Sequence, residues 1–296
     1  MLQGLAFDEI TVDDISFLYR SVEVSVLRLD KISPVISGNK WFKLRFYLED
    51  AIRLSKKGIL TFGGAWSNHI LATAAICNTN GLKSLGIIRG EEPQQLSLTL
   101  QQAKQEKMQL AFISRSDYRH KKLPETFSTE DYYLVNEGGY GAPGAEGASS
   151  ILDYCRNDFT HCCCAVGTGT MLAGMINRIS GDQRAIGISV LKNNDSVVEK
   201  IQALTDARKN NWALINDYSF GGYAKHNPAL LRFMNEFYQK TRIPSDFVYT
   251  GKLFYAISAL IDENYFPPGS KLTLIHSGGI QGNNSLEPGT LMFKYS

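Results

Sequence analysis

Ala165-Val166-Gly167-Thr168-Gly169-Thr170-Met171-Leu172-Ala173-Gly174 reads as the end of a buried strand, a glycine loop and the opening of a helix. The apolar run begins upstream, so a strand is expected over Cys162–Val166, and the amphipathic pattern continues as a helix over Met171–Ile179. A strand that turns into a helix through glycines is the repeating unit of a parallel sheet covered by helices. The same rhythm recurs along the chain. Further strands are expected at Ser25–Asp30, Gly58–Gly63, Ser84–Arg89, Gln109–Ser114, Ala185–Leu191 and Lys271–His276. Between them fall helical patterns at Trp41–Leu54, Asn68–Asn80, Leu96–Lys107 and Pro228–Thr241. The fold class is therefore α/β, doubly wound, with mostly parallel sheets in three-layer αβα units and right-handed crossovers.

The stretch Arg115–Ser150 breaks the rhythm. It contains Asn136-Glu137-Gly138-Gly139-Tyr140-Gly141-Ala142-Pro143-Gly144, a loop-forming cluster. Two domains are expected: a larger one from residues 1–44 plus 141–296, and a smaller one from 45–140. Ligands in open α/β sheets sit at the carboxyl ends of strands. The expected active site is thus the cleft between the two domains.

Composition narrows the class of protein. The chain has 296 residues, 44% hydrophobic and 20% charged, with a formal net charge of +2. Basic residues are scattered apart from short pairs such as Lys56-Lys57 and Lys121-Lys122, which gives no footprint for nucleic acid or an anionic membrane. The N-terminal stretch MLQGLAFDEITVDDIS has neither a basic segment nor an apolar one, so it does not read as a signal peptide. No apolar run approaches the ~18 residues that a membrane span needs. Five cysteines include the consecutive Cys162, Cys163 and Cys164 and no C-x-x-C spacing. Alternate strand residues face opposite ways, so this run cannot converge on a metal, and it is expected to fill a core strand. Reduced thiols point to the cytoplasm.

Several other short stretches carry chemistry. Gly38-Asn39-Lys40 opens a helix, where the dipole disfavours a cation. A lysine placed there is either solvated surface or a nucleophilic amine, with Lys43 one turn on as the competing candidate. Gly64-Ala65-Trp66-Ser67-Asn68-His69 follows a strand and begins a helix. Ser67 and Asn68 suit helix capping, and equally suit a carboxylate at the helix N-terminus. Gly167, Thr168, Gly169 and Thr170 bring backbone N–H groups and two hydroxyls to a site fit for a monophosphate. Tyr249-Thr250-Gly251-Lys252 opens the helix before the last strand, Tyr223 lies in Gly221-Gly222-Tyr223, and Ser277 follows that last strand.

An amine-forming lysine, a hydroxyl-amide pair and a phosphate cradle, in this order, are the parts that hold pyridoxal 5'-phosphate. The rival for Gly167-x-Gly169 is a dinucleotide fingerprint, which requires an acid at the end of the next strand. That strand instead ends Val190-Leu191-Lys192-Asn193, with Asp195 only later, and a nicotinamide enzyme has no use for Lys40.

From about Arg28 to Gly279 the chain resembles the 1-aminocyclopropane-1-carboxylate deaminase / D-cysteine desulfhydrase family, pyridoxal-phosphate enzymes of the tryptophan-synthase β-subunit fold (fold type II). The resemblance implies that Lys40, third in the family's Gly-Asn-Lys, is the Schiff-base lysine rather than Lys43. It implies that Ser67 contacts the substrate and Asn68 the ring oxygen, with His69 beside them, although Trp66 replaces the family's Gln. It also implies pocket roles for Tyr249 and Tyr223 and a phosphate loop at 167–170. The family's deaminases carry Glu after the pocket tyrosine and an apolar residue before the final Gly-Gly, whereas its desulfhydrases carry hydroxyl residues at both places. Thr250 and Ser277 resemble the desulfhydrase pattern. A hydroxyl at the pyridine nitrogen leaves the ring largely unprotonated, which suits prompt loss of a thiolate.

The resemblance thus implies a lyase or deaminase of a small amino acid, working as a homodimer, with D-cysteine converted to pyruvate, sulfide and ammonia as the leading reading. A catalytically silent relative of the fold is the remaining alternative. Two segments depart from the family pattern: Leu27-Arg28-Leu29-Asp30 replaces Lys-Arg-Asp-Asp, and Ile280-Gln281-Gly282-Asn283 follows the final Gly-Gly. Both are expected at the pocket or its rim.

Overall fold

The structure is a computed structural model that describes residues 10–33, 35–36, 38–123, 130–192 and 196–293. The chain begins with β1 (Val12–Asp14), β2 (Glu23–Arg28) and α1 (Asn39–Arg53). It then alternates through β3 (Gly58–Gly63), α2 (Asn68–Thr79), β4 (Lys83–Arg89), α3 (Leu98–Gln105), β5 (Gln109–Ile113), α4 (Arg115–Arg119) and β6 (Tyr132–Val135). The second half runs α5 (Ala142–Ser149), β7 (His161–Val166), α6 (Thr170–Arg178), β8 (Arg184–Ser189), α7 (Ser196–Gln202) and β9 (Trp212–Ile215). It closes with α8 (Pro228–Thr241), α9 (Thr250–Asp262) and β10 (Lys271–His276).

Two sheets organise these elements. The larger has the order β1-β2-β10-β7-β8-β9 and the smaller β5-β4-β3-β6. Every pairing is parallel except β1 with β2. Helices cover the faces, so the central strands bury both sides: every residue of β3 and β7 is buried. Cys162, Cys163 and Cys164 lie in β7 between β10 and β8, fully buried and free, as small fillers of the core. Among the described residues no group of His, Cys, Asp and Glu could hold a metal, and no helix is long and apolar enough to cross a membrane. Asn193 and Asp195, on which the dinucleotide reading partly turned, lie outside the described residues.

The two sheets share one core. Leu27 and Cys164 of the larger sheet belong to the same buried cluster as Ile59 and Val135 of the smaller, with Phe42, Leu44 and Leu48 of α1 between them. The expected boundary at 44/45 falls inside α1. That helix packs on α5, where Gly147 is required: a Cβ there would overlap the carbonyl of Phe42. Gly174 lets α6 approach α5 in the same way, a Cβ being driven into the carbonyl of Ala145. The loop expected across 136–144 therefore gives way, from Ala142, to a helix wedged between α1 and α6.

Candidate active site

Lys40 lies in the first turn of α1, and that turn is anchored from two sides. Gly38 adopts φ 66°, and its Cα faces the carbonyl of Ser277 so closely that no side chain fits. The Asn39 N–H donates to that carbonyl at 3.2 Å. The Asn39 amide donates to Sδ of Met171 on α6 at 3.2 Å, while its Oδ1 accepts from Lys40 Nζ at 2.8 Å. Burial lowers the Lys40 pKa to about 8 against the pull of Asp246. An amine poised near neutrality can both attack a carbonyl and carry a proton.

Ser67 caps α2, its hydroxyl accepting from the Ile70 N–H at 3.4 Å. The capping role and a site role coincide, because the first-turn N–H groups of a helix have no partner within it. Asn68 lies against Gly279, which has φ 92° and a backbone so near the Asn68 amide that a Cβ would overlap it. Its Oδ1 is buried without a hydrogen-bond partner among the described residues. His69 is buried, and its Nε2 lies 2.7 Å from the Thr61 hydroxyl, which donates its single proton to the Val135 carbonyl at 2.8 Å. That hydroxyl can therefore only accept from the ring, so Nε2 carries the proton. Burial, with Lys40 and Lys43 nearby, pushes the His69 pKa well down and keeps the ring neutral. Nδ1 is thus a bare acceptor, and it has no partner among the described residues.

The glycine loop ends β7. Gly169 starts α6 in a left-handed conformation (φ 86°) with no side chain capping the helix, and the Thr168 and Thr170 hydroxyls lie 3.0 Å apart. A Cβ on Gly169 would meet Ile201 Cγ1 of α7 at 2.6 Å, so this glycine is required by packing as well as by its φ. Gly167 passes the ring of Tyr249, 3.3 Å from where its Cβ would stand. The turn Gly138-Gly139 runs alongside. Gly138 faces Thr168, and Gly139 faces Lys43 and His69.

Tyr249 stands at the head of α9, and Tyr223 meets it edge-on, ring centroids 6.1 Å apart. Burial pushes both phenols upward, so they remain protonated donors. The turn before α9 is organised by buried Asp246, whose carboxylate accepts from the N–H groups of Val248, Tyr249 and Thr250 at 2.8–2.9 Å. The Thr250 hydroxyl donates to Asp246 Oδ1 at 2.7 Å and accepts the Asp246 N–H at 2.8 Å. Thr250, expected at a ring nitrogen, is fully buried with its proton already given to Asp246. Ser277 is half-buried at the end of β10.

The two divergent segments take structural parts. Arg28 makes a two-pronged contact with Asp30 (2.9 and 2.6 Å) and reaches Asp13 at 2.6 Å. Asp30 Oδ1 lies 3.4 Å from His276 Nδ1. Arg28 and Asp30 are buried beside β10, next to His276, the residue that precedes Ser277. Asn283 is fully buried and brackets the Asp246 turn, accepting from the Phe247 N–H and donating to the Ser245 carbonyl. Asp246 and Asn283 were invisible as site supports in the sequence, since both act through backbone groups of a turn.

Lys43 takes on weight that spacing alone did not show. It is buried, and the ionisable groups that act on it are Lys40 and the thiol of Cys164, with its pKa driven well down by burial and by Lys40. Lys40 and Lys43, with the uncapped N-terminus of α6 and the two threonine hydroxyls, are groups that favour an anion. Among the described residues Asn68 Oδ1 and His69 Nδ1 are buried acceptors without a donor. A phosphorylated pyridine aldehyde fits the amines, the α6 N-terminus and the hydroxyls, while the two acceptors suit a donor such as an amine.

The family described as pyridoxal-phosphate dependent enzyme matches residues 20–278, and the chain belongs to it. It is a pyridoxal-phosphate-dependent enzyme of fold type II, built as the α/β architecture above. Among its relatives is a Pyrococcus furiosus protein provisionally named 1-aminocyclopropane-1-carboxylate deaminase, 28% identical over 284 residues, with 88% of this chain and 85% of the relative covered. The D-cysteine desulfhydrase of Salmonella typhi is 25% identical over 293 residues, covering 88% of each. A crystal structure described as the ACC deaminase homologue superposes with a TM-score of 0.78 at 25% identity, over 93% of this chain and 90% of that one.

Proposed function

We propose that the enzyme is a lyase that removes the β-substituent of a small amino acid, with D-cysteine as substrate and pyruvate, sulfide and ammonia as products. The observation that carries this reading is the Lys40 amine held by Asn39 Oδ1 at 2.8 Å at the head of α1, its pKa lowered by burial to about 8, together with the protonated pair Tyr249 and Tyr223 at the head of α9. Bound pyridoxal phosphate supplies a carbonyl for the amine and an electron sink for the α-carbanion. Lys40 would hold the cofactor through its amine and, when free, would take the α-proton, its pKa of about 8 leaving it near neutrality. Tyr249 and Tyr223 stay protonated at working pH and donate, which suits them to steady the departing thiolate.

The N-terminus of α2, with Ser67 and Asn68, receives the substrate carboxylate, and His69, whose bare Nδ1 only accepts, takes a hydrogen bond from a donor of the substrate such as its amino group. The amide of Asn68 also meets the ring oxygen. Gly167, Thr168, Gly169 and Thr170 hold the phosphate, with Lys43 as its buried cation. Ser277 is the neutral partner of the ring nitrogen, and Thr250 supports it indirectly by fixing the Asp246 turn. Residues 45–140 form the smaller domain and 1–44 plus 141–296 the larger, with the site in the cleft. The enzyme is read as a cytoplasmic homodimer, and five buried free thiols support a reducing compartment.

Purified holoenzyme offered D-cysteine, L-cysteine and 1-aminocyclopropane-1-carboxylate should release sulfide from D-cysteine faster than it releases ammonia from the cyclopropane. A preference for the cyclopropane would replace the desulfhydrase reading with the deaminase one. Turnover of none would make the chain a silent relative.

A further inference from the structure

Three residues beyond Tyr249, α9 carries another lysine. Lys252 is fully buried, yet its ammonium makes no ion pair among the described residues. Instead Nζ donates to the carbonyls of Ser219 and Gly222, each at 2.7 Å. The segment it grips is conformationally demanding. Phe220, Gly221, Gly222 and Ala224 have φ of 52°, 94°, 115° and 53°, and two of these four residues carry side chains that disfavour that region. The turn is closed by the Gly222 N–H on the Ser219 carbonyl at 3.0 Å and the Lys225 N–H on the Gly222 carbonyl at 3.2 Å. Phe220 packs edge-on against Tyr255, also on α9, at 4.9 Å. Tyr223, the one residue of 220–224 with ordinary φ, projects from this turn, 47% exposed, onto Tyr249.

A buried ammonium is costly unless hydrogen-bonded, and an apolar side chain would fill the same volume without that cost. Its use here points to the loop it holds. We propose that Lys252 is a positioning residue for Tyr223: its ammonium fixes the strained 219–224 turn to α9, so that one helix sets the places of both tyrosines. Bonds to Ser219 and Gly222 span the turn, and each is charge-assisted, the stronger kind of hydrogen bond. Burial lowers the Lys252 pKa to about 8, opposed by Asp246 in the turn that precedes the same helix. The proposal rests on the reading of Tyr223 as a pocket residue.

The test uses holoenzyme and reads hydrogen exchange, cofactor absorbance and turnover. In the wild type the hydrogen-bonded amides of Gly222 and Lys225 should exchange slowly, and fast exchange at both overturns the proposal whatever the variants do. Lys252→Met should accelerate exchange of these two amides by at least about tenfold while leaving the middle of α9 unchanged. Cofactor absorbance should be retained, since Lys40 and the 167–170 loop are untouched. Lys252→Arg, which keeps charged donors, should restore much of the protection, and it serves as the reading variant if Lys252→Met does not fold. On the best substrate, Lys252→Met and Tyr223→Phe should each lower kcat more than they raise KM. The double variant should be no worse than the poorer single one. Multiplicative losses, or unchanged loop exchange in Lys252→Met, would show that Lys252 does not act through Tyr223. If no substrate is turned over, the functional reading fails on its own and the exchange result still decides the role of Lys252.

Discussion

The hydroxyl of Thr61 stands between the Val135 carbonyl and His69 Nε2, giving its proton to the first and taking one from the second. One β-strand residue therefore dictates which ring nitrogen of His69 is bare. Nitrogen-15 spectra of histidine-labelled protein should show His69 as the neutral Nε2–H form, still uncharged near about pH 6, where an ordinary histidine is mostly protonated. Thr61→Val should release the ring and produce a mixture of tautomers. A protonated His69 in the wild type would contradict this arrangement.

Borohydride reduction of the holoenzyme followed by peptide mapping should place the cofactor adduct on Lys40. Lys43 should carry none, because it points to the Gly139 side of the pocket and is expected to face the phosphate. Lys40→Ala should lose turnover but still bind cofactor non-covalently through the phosphate loop. An adduct on Lys43 would reverse the two assignments.

Lys43→Met should weaken cofactor binding by roughly 10- to 100-fold in equilibrium dialysis, the range expected for losing one charge-assisted hydrogen bond to phosphate. The apo protein should be no less stable, since a buried amine without an acid partner is replaced by an apolar group. Unchanged affinity would remove Lys43 from the phosphate site.

Cofactor-free protein should have a stability optimum in alkali. Lys40 and Lys252 have folded pKa values of about 8 and Lys43 lies well below its ordinary 10.5. The unfolded chain therefore binds more protons above pH 8, and stability rises with pH there. Burial raises all five cysteine thiols above 9.0, to about 12 for Cys77, Cys155 and Cys164. Above pH 9 the unfolded chain ionises thiols that the folded one keeps protonated, and the five thiols outweigh the three amines. Urea midpoints measured from pH 7 to 10.5 should peak near about pH 9. A steady decline from pH 7 would mean that these lysines are solvated.

Thr250→Glu should destabilise the enzyme rather than convert it into a deaminase. The new carboxylate would lie against Asp246, which is already buried and has lost a hydroxyl donor, at a cost of about 3 kcal/mol or more in chemical denaturation. Ser277→Leu should leave the fold intact and alter turnover alone. Equal stability of both variants would show that Thr250 is not committed to Asp246.

Much of this architecture is legible in the sequence because its central strands are continuous apolar runs that end in glycine turns. β3, β4, β5, β7, β8 and β10 lie within two residues of where those runs place them. The misses share a cause. β1, β6 and β9 are three or four residues long and lie at sheet edges, too short for periodicity to register. The cluster Asn136–Gly144 reads as loop to its end, although a helix begins at Ala142, because glycines and Pro143 lower helix propensity. The glycines of that helix are there to let α1 and α6 come close, a tertiary reason that no local pattern carries. At the site, Lys40, Ser67, Asn68 and the 167–170 loop stand at strand ends and helix starts, positions that motifs mark. Asp246, Lys252 and Asn283 act on backbone groups distant in sequence, so nothing near them announces it.

Gly38 has no room for a side chain against Ser277, and the next residue hydrogen-bonds the same carbonyl. The helix that presents the proposed reactive amine is thereby seated on the turn that carries the proposed partner of the ring nitrogen. On that reading, covalent anchor and electronic tuning share one hinge pin. A substitution that displaces the end of β10 will drag Lys40 with it, so selection for a new reaction at Ser277 must keep the backbone there still and change only what projects from it.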